Sequence, residues 1–490
     1  MKPSRYDVVV VGGGSGGIGA ALAAARMGRS TLLIERAATL GGTAVRGGVH
    51  VWQNGMGGTG IPFDIYRRLK RIPQGVAIVS HGRHGSLQRD RSQPLYPGGE
   101  FVLNPSRRYA DTLLRHEPAD YNLANEAAIR DKWHLVSFDP AAYLQAVHDL
   151  LARTQCCTVA TGRRFTFVQA RDGGIASLHL DDGQIVEADA FIDCTADGAL
   201  CRACGCEGML GQEPHDRFGE PSAPPQGGPR INGVTLVFRI GPKDIAGVDP
   251  LAPGVSEECW WAESFTWACL TQYPRGDWNV NVLPTMEGEE FLRLGYHAAY
   301  PECLRRTRAW WHWFQTAVPE YQRFGITDIS PQLGVREGSR VVGEYVLSEH
   351  DLRKGLQHQG HDDIIAVADH TMDRHAQGDG GEGHAAPYGI PYRCLVPKGF
   401  RNLLIASRGA SFSSIAASSC RLCRTVMQLG QAAGTAAAIA VSQGIDLPCV
   451  PAASLRDALR RQHVQLDWPM PSDLLRHVQD EDEAGNRMQP

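Results

Sequence analysis

The pattern of apolar and polar positions at the N-terminal end predicts a strand, a glycine turn, a helix and a second strand. An apolar run over residues 8–11 ends at Gly12. A small-residue stretch over residues 18–27 follows, and a second apolar run ends at Glu35. This order is typical of a dinucleotide-binding βαβ unit, in which the phosphates lie at the start of the helix.

Similar patterns predict elements further along the chain. Asp139 and Pro140 open a predicted helix that runs to about residue 154, because Asp is a favoured N-cap and Pro suits the first turn. Residues 235–240 and 278–283 alternate between apolar and polar side chains with a period of two, which favours an antiparallel sheet in a second domain. Further predicted elements are strands over residues 159–168, 176–180, 190–195 and 402–407, and a small-residue helix over residues 420–442.

Three stretches are less regular. Residues 74–130 are polar and contain Arg, Gly and Pro throughout, so we interpret them as long loops that are functional or form an interface. Residues 310–314 are aromatic-rich and predict a core helix, with a substrate-stacking wall as the alternative. The tail from about residue 480 predicts fraying.

Composition narrows the class of protein. A chain of 490 residues is expected to form two or three domains. The 49 basic and 53 acidic residues are nearly balanced, which argues against general nucleic-acid binding. The first predicted strand begins at residue 7, which is expected to leave no room for a signal peptide. The most apolar long stretch is too short to span a bilayer. The 13 cysteines follow no regular framework, which fits a reducing compartment. We therefore expect a cytoplasmic protein without membrane contact.

The N-terminal glycines suit a bound pyrophosphate. Gly12 makes the tight turn, Gly14 lets a phosphate approach the backbone, and Gly17 lets the helix lie close to the sheet. Glu35 lies 23 positions after Gly12 (35 − 12), close to the interval of about 20 at which an acidic residue binds a ribose diol. A glycine turn in another kind of βαβ unit is the alternative.

Four segments give the chain a resemblance to a known family. They are residues 12–21 (GGGSGGIGAA) with Glu35 and residues 40–43 (LGGT), residues 191–200 (FIDCTADGAL), residues 333–352 (LGVREGSRVVGEYVLSEHDL), and residues 388–411 leading into residues 420–438. Together they resemble the FAD-dependent oxidoreductases that include the flavin subunit of heterodisulfide reductase. These proteins have a glutathione-reductase-type FAD fold.

The resemblance implies an α/β fold with a discontinuous, Rossmann-like FAD-binding domain. This domain would comprise residues 1–50, 131–215 and 388–448, with a loop-rich insertion at 51–130. A mixed or antiparallel-sheet substrate domain would follow at 216–387, and a C-terminal helix and frayed tail at 449–490.

The resemblance also implies an FAD site. In the family, the helix over residues 420–442 begins under the flavin, so that its N–H groups and Arg421 face the pyrimidine edge. A helix that merely packs is the alternative. The predicted FAD contacts are Gly12, Gly14, Gly17, Glu35, Arg36, Gly41, Gly42, Thr43, Thr195, Asp197, Gly198, Arg421 and Leu422.

Cysteines and histidines raise the question of metal binding. The ferredoxin spacing is absent, so we interpret Cys194 and the cysteines at 201–206 as small buried hydrophobes. We interpret the Cys420–Cys423 pair as packing or as a plain cofactor contact, with a redox dithiol as the alternative. The histidine-rich residues 369–384 match no zinc signature, and either a solvated loop or polar groups over the flavin account for them. We therefore expect no metal.

The expected activity is oxidation of a small organic molecule by hydride transfer to flavin N5, with oxygen or an electron carrier as the acceptor. The family carries an Asp-x-His in the histidine-rich loop, so His375 is the predicted base and Asp373 its helper. His370, His384, Tyr388 and His50 are reserves.

The resemblance implies that Arg336 or Arg340 reaches the interdomain cleft, where Arg336 would orient an anionic or carbonyl group. Their spacing of four also permits one helical face, so a salt-bridged surface strip is the alternative. The rival functions are an electron-transfer subunit of a larger complex and a flavin-binding protein without turnover. The sequence leaves open whether the protein forms a homo-oligomer.

Overall fold

The computed structural model describes residues 3–83, 99–114, 131–256, 267–374 and 386–482. The strands are β1 (Ser4–Val11), β2 (Thr31–Glu35), β3 (Val51–Trp52), β4 (Val76–Arg83), β5 (Glu100–Leu103), β6 (His134–Phe138), β7 (Cys157–Thr161), β8 (Phe165–Arg171), β9 (Gly174–Leu180), β10 (Ile185–Asp193), β11 (Gly208–Met209), β12 (Phe238–Pro242), β13 (Trp267–Gln272), β14 (Trp278–Leu283), β15 (Phe324–Ile329), β16 (Arg340–Val341), β17 (Ile364–Ala368), β18 (Tyr388–Pro391) and β19 (Leu403–Ile405).

The α-helices of the described ranges are α1 (Ser15–Arg26), α2 (Ile61–Leu69), α3 (Pro140–Thr154), α4 (Ala199–Ala203), α5 (His215–Phe218), α6 (Gly288–Ala317), α7 (Glu349–Lys354), α8 (Ser414–Cys420), α9 (Cys423–Gln443), α10 (Ala452–Arg461) and α11 (Ser472–Gln479). Helix α6 is interrupted at Gly295, where φ is 71°. None of the helices in these ranges is both long and apolar enough to cross a membrane.

The first sheet has the order β7-β2-β1-β10-β9-β8, and β19 pairs with the C-terminal end of β10. Strands β7, β2, β1, β10 and β19 are parallel, whereas β9 and β8 are antiparallel. Residues 8–11 are buried apolar side chains, as expected for a parallel strand covered on both faces. The predicted strand–helix–strand unit is confirmed.

The second sheet has the order β15-β12-β14-β13-β5-β4-β6-β3 and is antiparallel except between β13 and β5. The predicted antiparallel arrangement is confirmed, since Phe238 lies opposite Val280 in the β12–β14 pair. One face of this sheet forms a core with α6 that includes Phe238, Ile240, Val280, Val282, Trp310, Trp311 and Phe314. The aromatic residues 310–314 thus belong chiefly to a core helix, and the mixed second sheet agrees with the predicted fold class.

Where the structure describes residues 74–130, the prediction of long loops is wrong. Strands β4 and β5 pair with each other in the middle of the second sheet. Their polar side chains obscure the pattern because they are bonded inside the fold: Ser80 Oγ lies 2.8 Å from His134 Nδ1. Strand β6, assigned from the sequence to the FAD-binding domain, also pairs with β4.

Two element boundaries also differ from the predictions, whereas a third is confirmed. The predicted strand over residues 159–168 is two strands, separated by a turn at Gly162, where φ is 66°. The predicted helix over residues 420–442 begins only at Cys423, because the backbone of Leu422 is extended. Helix α3 starts as predicted, with Asp139 Oδ1 accepting from Ala141 N at 3.0 Å and Ala142 N at 3.1 Å.

Helices α1 and α9 meet backbone to backbone. A Cβ atom on Gly430 would lie 1.9 Å from the carbonyl oxygen of Gly16, and one on Gly434 would lie 2.2 Å from that of Ala20. Neither distance is compatible with a side chain, so glycine is required at both positions. The predicted close-packing face of this helix is therefore confirmed.

We predict that Gly430→Ala destabilises the protein by about 3 kcal/mol, the upper part of the usual range for overpacking. Alanine favours a helix over glycine by up to about 1 kcal/mol, but the collision with the Gly16 carbonyl outweighs this gain. Chemical denaturation of the two proteins checks the difference. Gly228→Ala is the control, because a Cβ atom there would meet nothing within 4 Å; equal stability of Gly430→Ala and the wild type would contradict the packing argument.

Candidate active site

A cavity of about 1500 Å³ joins the two sheets. Gly12, Glu35 and Thr195 contribute to its wall at the carboxyl ends of parallel strands, the edge at which open α/β sheets bind ligands. Thr271 and Asn281 contribute from the second sheet. The predicted residues in the wall are Gly12, Gly14, Glu35, Arg36, Gly42, Thr43, Thr195, Asp197, Arg336, Asp373, Arg421 and Leu422.

The other predicted residues have different positions. Gly17 packs against the turn, since a Cβ atom there would lie 1.7 Å from Gly12 O. Gly41 and Gly198 have positive φ values of 100° and 61° and shape loops beside the wall. His375 lies outside the described residues, as does His384.

The start of α1 fits a phosphate-bearing ligand. Gly14 precedes the helix, and a Cβ atom on it would have only Gly42 Cα near it, at 4.0 Å. The protein therefore leaves the space beside Gly14 open to the cavity. No described side chain caps the first N–H groups of α1, so they can donate to an anion.

Glu35 is held in place by two backbone donors. Its Oε2 accepts from Gly13 N and its Oε1 from Ala37 N, both at 2.7 Å. Each carboxylate oxygen has a second lone pair that can accept from a ribose hydroxyl. The geometry fits the ribose contact expected from the sequence.

Arg336 and Arg421 bring two guanidinium groups to the wall. Arg336 Nη1 donates to Gly233 O at 2.8 Å and to Thr235 Oγ1 at 2.7 Å, while Arg421 Nη2 lies 3.5 Å from Asp373 Oδ2. Burial, with a smaller contribution from Arg421, lowers the pKa of Arg336 to about 9. Burial likewise lowers the pKa of Arg421. The charge of Asp373 opposes both shifts.

Arg340 has a different role from Arg336, and the surface-strip alternative is wrong for it. It is fully buried and forms ion pairs with Glu213 and Glu337. The backbone at 335–341 is not helical, so the spacing of four does not place Arg336 and Arg340 on one helical face. Sequence spacing could not distinguish the cavity-lining Arg336 from the buried, ion-paired Arg340.

Two of the reserve histidines line the cavity. His370 Nδ1 lies 2.8 Å from Thr371 O, and burial lowers its pKa, so it is neutral near pH 7. Because a carbonyl only accepts, Nδ1 carries the proton and Nε2 is the basic nitrogen. Burial lowers the pKa of His50 to about 4. Tyr388 is buried beside Ser419, with the two hydroxyls 2.6 Å apart, and is not part of the wall.

Several wall residues were not predicted as site residues. Arg424 donates to backbone carbonyls of Gln53, Gly55 and Thr112. Asn54 is buried, and neither polar atom of its side-chain amide has a hydrogen-bond partner in the described part of the chain. Since buried amides are normally satisfied, this orphaned group fits a ligand in the cavity. Asn279 and Asn281 had a signal, because the alternation of 278–283 puts both on one face.

Of the cysteines predicted to be small buried hydrophobes, Cys194 and Cys201 are buried, whereas Cys204 and Cys206 are half-buried. Burial raises the pKa of Cys204 and Cys303 to about 12 and also raises that of Cys423, which lines the cavity. Cys420 Sγ donates to Ala416 O at 3.2 Å. These features favour packing over a reactive dithiol. Within the described residues, no group of three or more His, Cys, Asp or Glu side chains is arranged to hold a metal.

A parallel sheet with a glycine turn, a fixed acidic residue and a second sheet across a shared cavity define a Rossmann-type flavoprotein. The chain belongs to the FAD dependent oxidoreductase family, whose model matches residues 7–459. The protein is therefore an FAD-dependent oxidoreductase, and FAD is its cofactor.

Similarity to curated proteins is local. The 3-oxosteroid 1-dehydrogenase of Mycobacterium tuberculosis is 48% identical over 121 residues, which cover 24% of this chain and 19% of the relative. The 4-oxocyclohexanecarboxylate 2-dehydrogenase of Sinomonas cyclohexanicum is 49% identical over 49 residues, covering 10% and 8%. The chain thus matches about a fifth or less of these relatives' lengths.

Among solved structures, a geranylgeranyl bacteriochlorophyll reductase-like protein of Thermoplasma acidophilum is similar over 97% of this chain and 96% of its own. The sequence identity is 13% and the TM-score 0.46.

We predict that Gly14→Val abolishes FAD binding while the protein remains folded. The valine side chain would enter the space beside the α1 N-terminus, where the pyrophosphate is expected, and would meet little of the protein itself. Flavin absorbance per chain and a thermal melt of the apoprotein measure the two effects.

Gly17→Ala is the matched control, because its Cβ atom would collide with Gly12 O and lower stability as well as flavin content. Full flavin occupancy in Gly14→Val would show that the phosphate site has been misassigned.

Proposed function

We propose that this enzyme oxidises a small organic substrate by hydride transfer to N5 of its bound flavin. The observation that carries the proposal is the extent of the cavity. Its volume of about 1500 Å³ exceeds the roughly 300–1,000 Å³ of a typical small-molecule site. Asn281 and Arg336 line a part of the cavity whose residues come far later in the chain than the phosphate turn at Gly12 and Gly14. The ionisable side chains of His370 and Asp373 also line the cavity.

The residues that would hold FAD follow the wall. The N–H groups at the start of α1 would bind the pyrophosphate, and Glu35 would accept from the adenosine ribose. The first turn of α9, after Leu422, would present its N–H groups to the isoalloxazine. Leu422 and the side chains of Cys423 and Thr425 line the cavity there.

In this proposal the chain supplies a base and an orienting cation. His375 takes the proton that leaves the substrate, and Asp373 orients it, as the Asp-x-His pattern suggests. The lowered pKa and wall position of His370 support it as the second candidate base. Arg336 orients the substrate through its planar guanidinium group.

An electron-transfer subunit is the rival function. Such a subunit would have no need of the polar part of the cavity around Asn281. Anaerobic mixing with panels of small alcohols, amines and hydroxy acids separates the two. Bleaching of the flavin by one class of compound supports the proposal, whereas reduction only by a partner protein would reject it.

We predict that removal of the base slows flavin reduction by roughly 10² to 10⁴-fold, the usual contribution of general base catalysis. Rapid-mixing reduction of His375→Ala and His370→Ala, each with normal FAD content, identifies which residue acts. If His370 is the base, its lowered pKa places the acid limb of the reduction rate below pH 6.5, because it must be deprotonated to act. Wild-type rates in both variants would remove the histidines from the chemistry.

A further inference from the structure

The cavity wall carries more positive than negative charge. Among the described residues, nine arginines and four acidic residues contribute to it. The two phosphates of FAD would offset only part of this excess. Four of the arginines pair with carboxylates, namely Arg163, Arg164, Arg408 and Arg421. The other five have no such partner among the described residues, and Arg424 instead donates to backbone carbonyls.

Arg336 is half-buried in the wall and is held by neutral groups. Its hydrogen-bond partners are the Gly233 carbonyl and the Thr235 hydroxyl, and no described carboxylate lies within ion-pair distance of it. Burial of a cation without a counter-ion costs several kcal/mol in general. Asp373 lies near both Arg336 and Arg421, whereas Glu337, the other carboxylate that acts on Arg421, is already paired with Arg340. A single negative charge from outside the chain would balance the group.

The surface beside Arg336 is polar. Thr235, which accepts from Arg336, precedes β12, and the pairing of Phe238 with Val280 places Asn281 next to Val237. Side chains alternate along strands, so Thr235, Val237 and Asn281 share one face of the sheet. All three line the cavity, and Asn281 Oδ1 is buried without a hydrogen-bond partner among the described residues. A ligand with a donor group would satisfy this oxygen.

We propose that the substrate is a small carboxylate, whose anionic group pairs with Arg336 and whose hydrogen-bond donor meets Asn281. This inference rests on the proposed function, because the carboxylate is a substrate only if the enzyme oxidises a small organic molecule. The guanidinium fork and a carboxylate match in a bidentate pair, which gives orientation as well as affinity. The face formed by Thr235, Val237 and Asn281 is then the specificity surface of the enzyme.

The test uses the FAD-loaded enzyme and two probes, benzoate and its uncharged analogue benzamide. Isothermal titration, with the flavin spectrum recorded alongside, gives the dissociation constants. Benzoate is expected to bind and benzamide to bind at least tenfold more weakly. Arg336→Gln should weaken benzoate binding by roughly 10- to 100-fold, in line with loss of a charge-assisted pair. Arg336→Lys should recover only part of this loss.

Two further variants guard against a trivial loss of folding. Asp373→Asn removes the neighbouring negative charge and should tighten benzoate binding, which a damaged protein would not do. Arg202→Gln removes one exposed positive charge of the same cavity and should change the constant less than twofold. FAD content is measured in every variant.

The binding and bleaching results distinguish failure of the carboxylate site from failure of the proposed oxidation. Equal binding of benzoate and benzamide, or unchanged benzoate binding in Arg336→Gln, would overturn the carboxylate site. So would an Arg336→Gln variant in which only the flavin midpoint potential falls, because the arginine would then serve the reduced flavin. Benzoate binding that depends on Arg336, without flavin bleaching by any carboxylate, would support the anion site and reject the proposed oxidation.

Discussion

The structure depends on the direct contact between the backbones of α1 and α9. The absence of side chains at Gly430 and Gly434 lets one helix lie against the carbonyl groups of the other. Both helices begin at the cavity, α1 after Gly14 and α9 after Leu422. The contact therefore fixes two helix N-termini relative to each other, and each of them can donate backbone N–H groups to an anionic part of a ligand. A looser contact between α1 and α9 would leave each helix N-terminus intact but would change the position of one N-terminus relative to the other.

The second sheet separates stability from specificity by its two faces. Val280 and Val282 pack in the core with α6, while Asn279 and Asn281 of the same strand face the cavity. Because successive side chains of a strand point in opposite directions, a polar residue can change on one face without a cavity opening on the other. Enzymes built on this plan can acquire new substrates with little cost to folding.

The sequence was informative where structure is local. The glycine spacing after β1, the Asp139 cap and the alternation of 278–283 each depend on neighbouring residues, and each prediction was confirmed. Strands β4 and β5 were missed because their stability comes from distant partners. The break before Cys423 and the buried ion pairs of Arg340 were missed for the same reason. The wall of the site was half predicted, since motifs mark the FAD side and no motif marks the side formed by the second sheet.

The contact between α1 and α9 joins an early segment of the chain to a late one, and β19 enters the first sheet by pairing with β10. On the ribosome, a bacterial or eukaryotic chain grows by about 5–20 residues per second, so α1 waits on the order of a minute for its partner helix. During that interval the face of α1 that packs against α9 has no partner, and the cavity lacks the part of its wall that the start of α9 supplies. The cofactor site is therefore completed only after the residues of α9 have been synthesised, so cofactor loading is a late event in the life of the nascent chain.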